Sequence, residues 1–322
     1  MTTDPTQIAN TDCDLSAHEA SELGSGGCAL FRSLCDRLIA GLLVLPDKPE
    51  ESVGATLRAL WHMASGSRMS AAAAMRRSLT PLDDSCSAAL EVLLDRRLAG
   101  EPLAHLTGRQ QFLGLELLAG PRALIPRRET ELLGNAAIRI LGELTAQRDH
   151  PCVVDACTGC GNIALALASR YPSAQVYASD LSPDAIQLAR ENADLLALSS
   201  RMDFRVGDLL APFDSAQFLG QVDLLTCNPP YISTNRVETM PAEIANFEPA
   251  LAFDGGPLGV RILQRIVQEA PRFLRPGGWV ALEVGLGQGP SVRKRLESSG
   301  RFRKVEQVTD HNNDVRALIA RT

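Results

Sequence analysis

The stretch D-A-C-T-G-C-G-N-I-A-L-A-L-A, residues 155–168, follows a short apolar run and opens a pattern of small apolar residues. Two readings compete for it. Gly159 and Gly161 read as a strand-to-helix turn whose bare backbone bends sharply and lets a ligand approach closely. Cys157 and Cys160 read as a C-x-x-C, a redox or metal motif. The surrounding sequence decides between them.

From Pro151 onward, strand and helix patterns alternate. Apolar runs at 152–156, 175–179, 203–207, 222–227 and 279–284 read as strands, with helices at about 162–171, 183–196 and 259–274. Two more strand candidates, near 302–308 and 315–320, close the chain. Such alternation predicts a parallel sheet with helices on both faces. Ligands of these sheets bind beyond the carboxyl ends of the strands, where the strand order reverses, and the glycine loop lies at such an end.

Upstream, residues 28–105 read as helical, with Leu30, Leu34, Leu38 and Leu42 at four-residue spacing. Thr80-Pro81-Leu82-Asp83 reads as a helix start, and Trp61 and His62 read as core residues. The run Q-F-L-G-L-E-L-L-A-G-P-R-A-L-I-P-R at 111–127 reads as a β-hairpin turning at Gly120-Pro121.

The loop's own chemistry narrows its ligand. Ala164 stands where a dinucleotide fingerprint would have its third glycine. Asp155 would repel a pyrophosphate and suits a zwitterionic or cationic ligand, such as the methionine part of S-adenosylmethionine. Asp180, at the end of the second strand, is placed for a ribose diol. A redox role for the thiols leaves both acids without a purpose. A structural zinc needs four ligands, and only Cys152 and His150 lie nearby in sequence. The cofactor-loop reading is preferred.

Asn228-Pro229-Pro230-Tyr231 follows the apolar run V-D-L-L-T-C. Two prolines end strand pairing unaided, but a rigid turn requires neither the Asn before them nor the aromatic after them. Chemistry accounts for both. A planar amide or aryl amine is a poor nucleophile because its nitrogen lone pair is delocalised. The Asn228 side-chain oxygen and the Pro229 carbonyl can hold both N–H hydrogens and draw the nitrogen toward sp³ character. Tyr231 can pack over the planar group. Near-attack positioning of this kind is worth roughly 7–11 kcal/mol.

A glycine loop combined with N-P-P-Y resembles the S-adenosylmethionine-dependent N-methyltransferases that act on adenine N6, cytosine N4 or glutamine N5. Further stretches choose a branch: R-R-L-A-G-E-P-L-A-H-L-T-G (96–108), Q-F-L-G-L-E-L (111–117) and A-L-I-P-R-R-E-T-E-L-L (123–133). With F-E-P-A-L-A-F (247–253), G-G-W-V-A-L-E-V-G-L-G-Q-G (277–289) and D-H-N-N-D-V-R (310–316), they are similar to the protein-(glutamine-N5) methyltransferases of the HemK/PrmC type. That family modifies the Gly-Gly-Gln glutamine of peptide chain release factors. The similarity runs in order over roughly residues 80–322.

The resemblance implies an α/β fold in three parts. A seven-stranded Rossmann-like class I methyltransferase domain at 128–322, its last strand antiparallel, follows a helical substrate-recognition domain at 23–108 and a β-hairpin linker at 109–127. S-adenosylmethionine, without a metal, would contact Asp155, Cys157, Thr158, Gly159, Cys160 and Gly161. Asp180 would hold its ribose beside Leu181, Asp208 and Leu209 would flank the adenine, and Asn228 would complete the site. The glutamine amide would bind Asn228, Pro229, Pro230 and Tyr231, of which Asn228, Pro229 and Tyr231 are the expected catalytic residues. Arg127 and Glu129 would lie near the entrance, although a helix N-terminus with ordinary charges explains them equally well. The products would be N5-methylglutamine and S-adenosylhomocysteine.

Two departures stand out. Cys157 replaces the family's first loop glycine, which costs about 1 kcal/mol or more if φ is positive there. Arg128 replaces the proline of I-P-R-P-E-T-E. Cys227, on a strand expected beside the first, should end near Cys157, so oxidation there would block the cofactor.

Composition bounds the rest. With 322 residues, 45% hydrophobic and 22% charged, the chain can build a sizeable core. Residues 1–22 hold five acids and no Lys or Arg, and read as a disordered acidic tail. A net charge of −6 argues against gripping long nucleic acid. No membrane span or secretory signal is evident, so a cytoplasmic monomer with reduced thiols is expected. Two alternatives stay open: the same chemistry on another protein or a small-molecule amide or amine, and a catalytically silent cofactor-binding scaffold.

Overall fold

The computed structural model describes residues 12–322, in two units. One runs to Gly120 and includes Ala242–Phe247; the other comprises Pro121–Pro241 and Glu248–Thr322.

The first unit is built on helices α1 (Ala17–Gly41), α2 (Val53–Ala64) and α3 (Asp84–Leu98). A reciprocal capping box starts α1: the Glu19 N–H donates to Ser16 Oγ at 3.2 Å and the Ser16 N–H to Glu19 Oε2 at 3.0 Å. Arg58 of α2 donates to the same carboxylate at 3.1 Å, and this bond brings Glu19 down to about 2. The acidic tail expected over 1–22 is therefore corrected. Residues 1–11 lie outside the described residues, while 17–22 are helix. Counting acids overlooked that S-A-H-E at 16–19 is a helix start rather than solvated charge. After a kink at Gly24 (φ 65°), α1 buries Phe31, Leu34 and Leu38, whereas Leu30 and Leu42 are only partly covered. Phe31 meets Trp61 at 6.0 Å between ring centroids, and the Trp61 indole donates to the Thr80 carbonyl at 2.8 Å. His62 is buried in the same helix.

The hairpin pairs β1 (Arg109–Phe112) with β2 (Leu115–Leu118). Its turn is Leu113-Gly114, both at positive φ (48° and 83°), as a two-residue loop between right-twisted strands requires. Gly120-Pro121 does not form the turn, because proline cannot supply positive φ. It stands instead at the border of the two units.

The second unit carries β3 (Cys152–Ala156), β4 (Gln175–Asp180), β5 (Met202–Val206), β6 (Val222–Cys227), β7 (Leu274–Glu283), β8 (Lys304–Thr309) and β9 (Val315–Arg321). They form one sheet in the order β5-β4-β3-β6-β7-β9-β8. Pairings from β5 to β7 are parallel, and β9 runs antiparallel to both its neighbours. The central strands are apolar on both faces: Val153, Val154, Leu224, Leu225, Val280 and Leu282 are fully buried. Helices α4 (Thr130–Thr145), α5 (Asn162–Arg170), α6 (Pro183–Leu195), α7 (Arg261–Phe273) and α8 (Gly289–Ser298) pack on the sheet or along its edges. Strand β7 starts five residues before the expected 279 because the strand pairs through Leu274 before its glycine pair.

Strand order reverses at β3, which pairs β4 on one side and β6 on the other. Asp155 lies opposite Thr226, Ala156 opposite Cys227, and Cys227 opposite Leu282. The ends of β3, β6 and β7 thus bring the glycine loop, the N-P-P-Y segment and Glu283 to one level.

Candidate active site

The loop after β3 is held from below. Thr158 Oγ1 and Thr226 Oγ1 each donate to the Asp155 carboxylate at 2.6 Å, and burial pushes that carboxyl up to about 6 against these bonds. Asp155 is 1% exposed and does not line the cavity, so its expected contact with a ligand is corrected: it shapes the loop. Gly161 also lies behind the wall. It caps α5 at φ 84°, where a Cβ would come within 3.1 Å of Ala189 of α6 and of Leu165. Gly159, at φ 56°, faces open space, and its N–H donates to Asp180 Oδ2 at 2.8 Å. Cys157 takes φ 56° as well, so a cysteine occupies a left-handed position in this loop.

Beyond these strand ends lies a cavity of about 260 Å³. Cys157, Thr158, Gly159 and Cys160 form its floor, with Asp180, Leu181, Asp208 and Leu209 along one side. Asp180 accepts from the N–H groups of Gly159 and Ser182, at 2.8 and 2.9 Å. Burial nonetheless raises its pKa. Asp208 pairs with Arg265 at 3.0 Å. Leu209 sits at φ 49°, and its carbonyl accepts from Ser179 Oγ at 2.7 Å.

The opposite wall contains Asn228 and Pro230. Pro229 and Tyr231 are outside the lining, the latter because its phenol turns inward and donates to Glu283 Oε1 at 3.1 Å. Burial, then the Glu283 charge, raises the Tyr231 pKa well above its usual range. Gln288 clamps the same segment, donating to the Tyr231 carbonyl at 2.9 Å and accepting from the Gly285 N–H at 3.0 Å. Asn228 Nδ2 donates to Thr130 Oγ1, the first residue of α4, at 3.2 Å. Arg127 lines the cavity, but its guanidinium is paired with Glu248, whose second oxygen accepts from the Ile125 N–H at 2.9 Å. Glu129 lies outside the lining.

The Cys157 and Cys227 thiols are neighbours at the ends of β3 and β6. Burial pushes Cys160 up to about 12. Burial first, and the neighbouring Cys157 thiol second, raise Cys227 well above the usual thiol range. Among the described residues, no group of three or more His, Cys, Asp and Glu is placed to hold a metal.

Sequence reasoning assigned no role to Thr130, Glu248, Glu283, Gln288 or Arg265. The first four lie inside the conspicuous stretches at 123–133, 247–253 and 277–289, which was the available signal. Arg265 sits in an ordinary amphipathic helix and offered none.

A family model described as a methyltransferase domain matches residues 148–311, and one described as the PrmC N-terminal domain matches residues 50–108. A protein of Moorella thermoacetica named release factor glutamine methyltransferase is 39% identical over 231 residues, covering 70% of this chain and 77% of its own. A Streptomyces coelicolor protein of the same name is 39% identical over 226 residues, covering 70% and 78%. The catalytic domain of hMettl16, solved in complex with a MAT2A 3'UTR hairpin, superposes with TM-score 0.50 at 17% identity, covering 64% of this chain and 75% of that one; it shares the fold.

Proposed function

The chain belongs to the release factor glutamine methyltransferase family, and on that premise we propose that it methylates the Gly-Gly-Gln glutamine of a peptide chain release factor at its side-chain nitrogen. The observation that carries this reading is Asn228. Its NH₂ is engaged by Thr130 in the cavity wall, which leaves its side-chain oxygen as an acceptor.

S-adenosylmethionine supplies an activated methyl group when bound, and the cavity residues fit it. Gly159 leaves open space where any side chain would intrude. The Asp180 carboxylate suits ribose hydroxyls, while Leu181, Leu209 and Ile262 offer apolar walls for a purine beside Asp208.

On the acceptor side, Asn228 Oδ1 and the Pro229 carbonyl take the two amide hydrogens. The two prolines restrict that carbonyl, and Gln288 holds the Tyr231 carbonyl two residues further on at 2.9 Å. Tyr231, expected over the amide, instead turns its phenol inward onto Glu283 and anchors the segment, and the nitrogen sheds its proton to water. The left-handed Cys157 carries a conformational cost of about 1–2 kcal/mol, which falls on the fold whether or not the cofactor is bound.

The test is transfer of a labelled methyl group to a purified release factor, followed by amino-acid analysis. N5-methylglutamine is expected. Calorimetric binding of the cofactor without transfer would move the acceptor elsewhere, and absence of binding would favour a scaffold.

A further inference from the structure

We propose that Cys157 is a site of oxidative modification by hydrogen peroxide, and that Cys227 resolves it into a disulfide across the floor of the cofactor cavity. Only the consequence for binding rests on S-adenosylmethionine being the ligand; the thiol pair itself follows from the strand ends.

Strands β3 and β6 are parallel neighbours, and Ala156 is the register partner of Cys227. Side chains alternate between faces along a strand. Asp155 and Thr226 share one face, where the Thr226 hydroxyl donates to the carboxylate at 2.6 Å. Ala156 and Cys227 share the other, in one buried cluster with Val154 and Leu282. Continued alternation would return Cys157 to the face of Asp155. Its left-handed φ of 56° breaks the pleat, and the side chain packs instead against the cluster that holds Cys227. Adjacent strands lie about 4.8 Å apart, within the range of about 4.4–6.8 Å between the Cα atoms of a disulfide. A backbone conformation that favours glycine thus sets one thiol beside another. Cys160, the other half of the C-x-x-C, lies outside that cluster.

The two thiols differ in access. Cys157 is half-buried and lines the cavity, whereas Cys227 is fully buried. Peroxide entering the cavity therefore meets Cys157 first. The Cys157 thiolate attacks the O–O bond and takes one oxygen as sulfenic acid, while the other oxygen leaves with the thiol proton as water. The Cys227 sulfur then attacks the sulfenic sulfur. An S–S bond forms, the S–O bond breaks, and the hydroxyl leaves with the Cys227 proton as a second water. The two thiols lose two electrons and the peroxide gains them. The new bond ties the loop whose Gly159 N–H holds Asp180 to the residue immediately before Asn228, so both walls of the cavity are constrained at once.

The full-length protein is treated with hydrogen peroxide, blocked with iodoacetamide, digested without reductant and read by tandem mass spectrometry. A Cys157–Cys227 link is expected, absent after dithiothreitol. Calorimetric affinity for S-adenosylmethionine should fall about tenfold or more on oxidation, the scale of one or two lost hydrogen bonds, and dithiothreitol should restore it. Cys227→Ser should stop at a Cys157 sulfenic acid that dimedone captures. Cys157→Gly should lose both the link and the response of affinity to peroxide, each protein being compared with itself before treatment. No link in wild type, or a link from Cys157 to Cys160 or Cys152, overturns the proposal, as does a peroxide response undiminished in Cys157→Gly. If either variant does not fold, the wild-type link decides. The link is read without cofactor, so a protein that forms it but binds no S-adenosylmethionine would refute the cofactor and leave the modification decided.

Discussion

Replacing Gly161 with alanine should destabilise the methyltransferase unit far more than the same change at Gly159, two residues away. Both glycines are left-handed, at φ 84° and 56°, so both substitutions carry a conformational cost of about 1–2 kcal/mol. Reduced freedom of the unfolded chain returns about 0.4–1 kcal/mol in each. Only at Gly161 does the new methyl meet neighbours, at 3.1 Å from the Ala189 Cβ and from Leu165 Cδ1. Leu165 can rotate away, but the Ala189 Cβ moves only with α6, so overpacking adds about 1 kcal/mol or more. Net losses of about 0.5–1 kcal/mol for Gly159→Ala and about 2 kcal/mol for Gly161→Ala follow. At about 2–4 °C per kcal/mol for a unit of this size, Gly161→Ala should melt about 4–8 °C below wild type. Differential scanning calorimetry of the three proteins is the assay. Equal melting temperatures for the two variants would refute the assignment of Gly161 to helix packing.

Asn228→Ala should lower kcat by about 100-fold or more while leaving calorimetric cofactor affinity within a few-fold, since it removes an acceptor for the reacting nitrogen; loss confined to cofactor binding would contradict this role. Asp180→Ala should weaken cofactor binding with little effect on the acceptor's KM, and unchanged affinity would remove Asp180 from the site. Glu283 is pushed up by burial from 4.5 to about 7, so between those pH values the folded state holds more protons than the unfolded one. Its contribution to stability is complete below about pH 4.5 and is lost as pH rises through 7; denaturant melts should show this slope, and Glu283→Gln should flatten it. At pH 8, iodoacetamide should label half-buried Cys157 before Cys160 and Cys227, whose thiols burial holds neutral, with all three reacting in denaturant. Rapid labelling of native Cys227, read by peptide mass spectrometry, would contradict its placement.

The sheet was legible because buried parallel strands are written as uninterrupted apolar runs, and C-V-V-D-A and V-D-L-L-T-C could be little else. The cavity wall was legible where residue type and strand end coincide, as at Asp180, Asn228 and the glycine loop. Failures came where composition or one punctuating residue stood in for geometry. Five acids suggested a tail although Ser16 and Glu19 cap a helix, and Gly120-Pro121 outweighed the Leu113-Gly114 turn. Asp155 was placed on the ligand because an acid at a strand tip looks available, whereas two threonine hydroxyls from different elements already occupy it. Thr130 and Glu283 escaped for a related reason. They are distant in sequence from Asn228, and only the register of β6 and β7 with the start of α4 joins them.

The most direct test of the account is mass spectrometry of release factors from cells with and without this protein. The account predicts one extra methyl group on the glutamine of Gly-Gly-Gln, absent without the protein and not restored by an Asn228→Ala version. A glutamine that is equally methylated in both cells, or unmethylated in both, would contradict it.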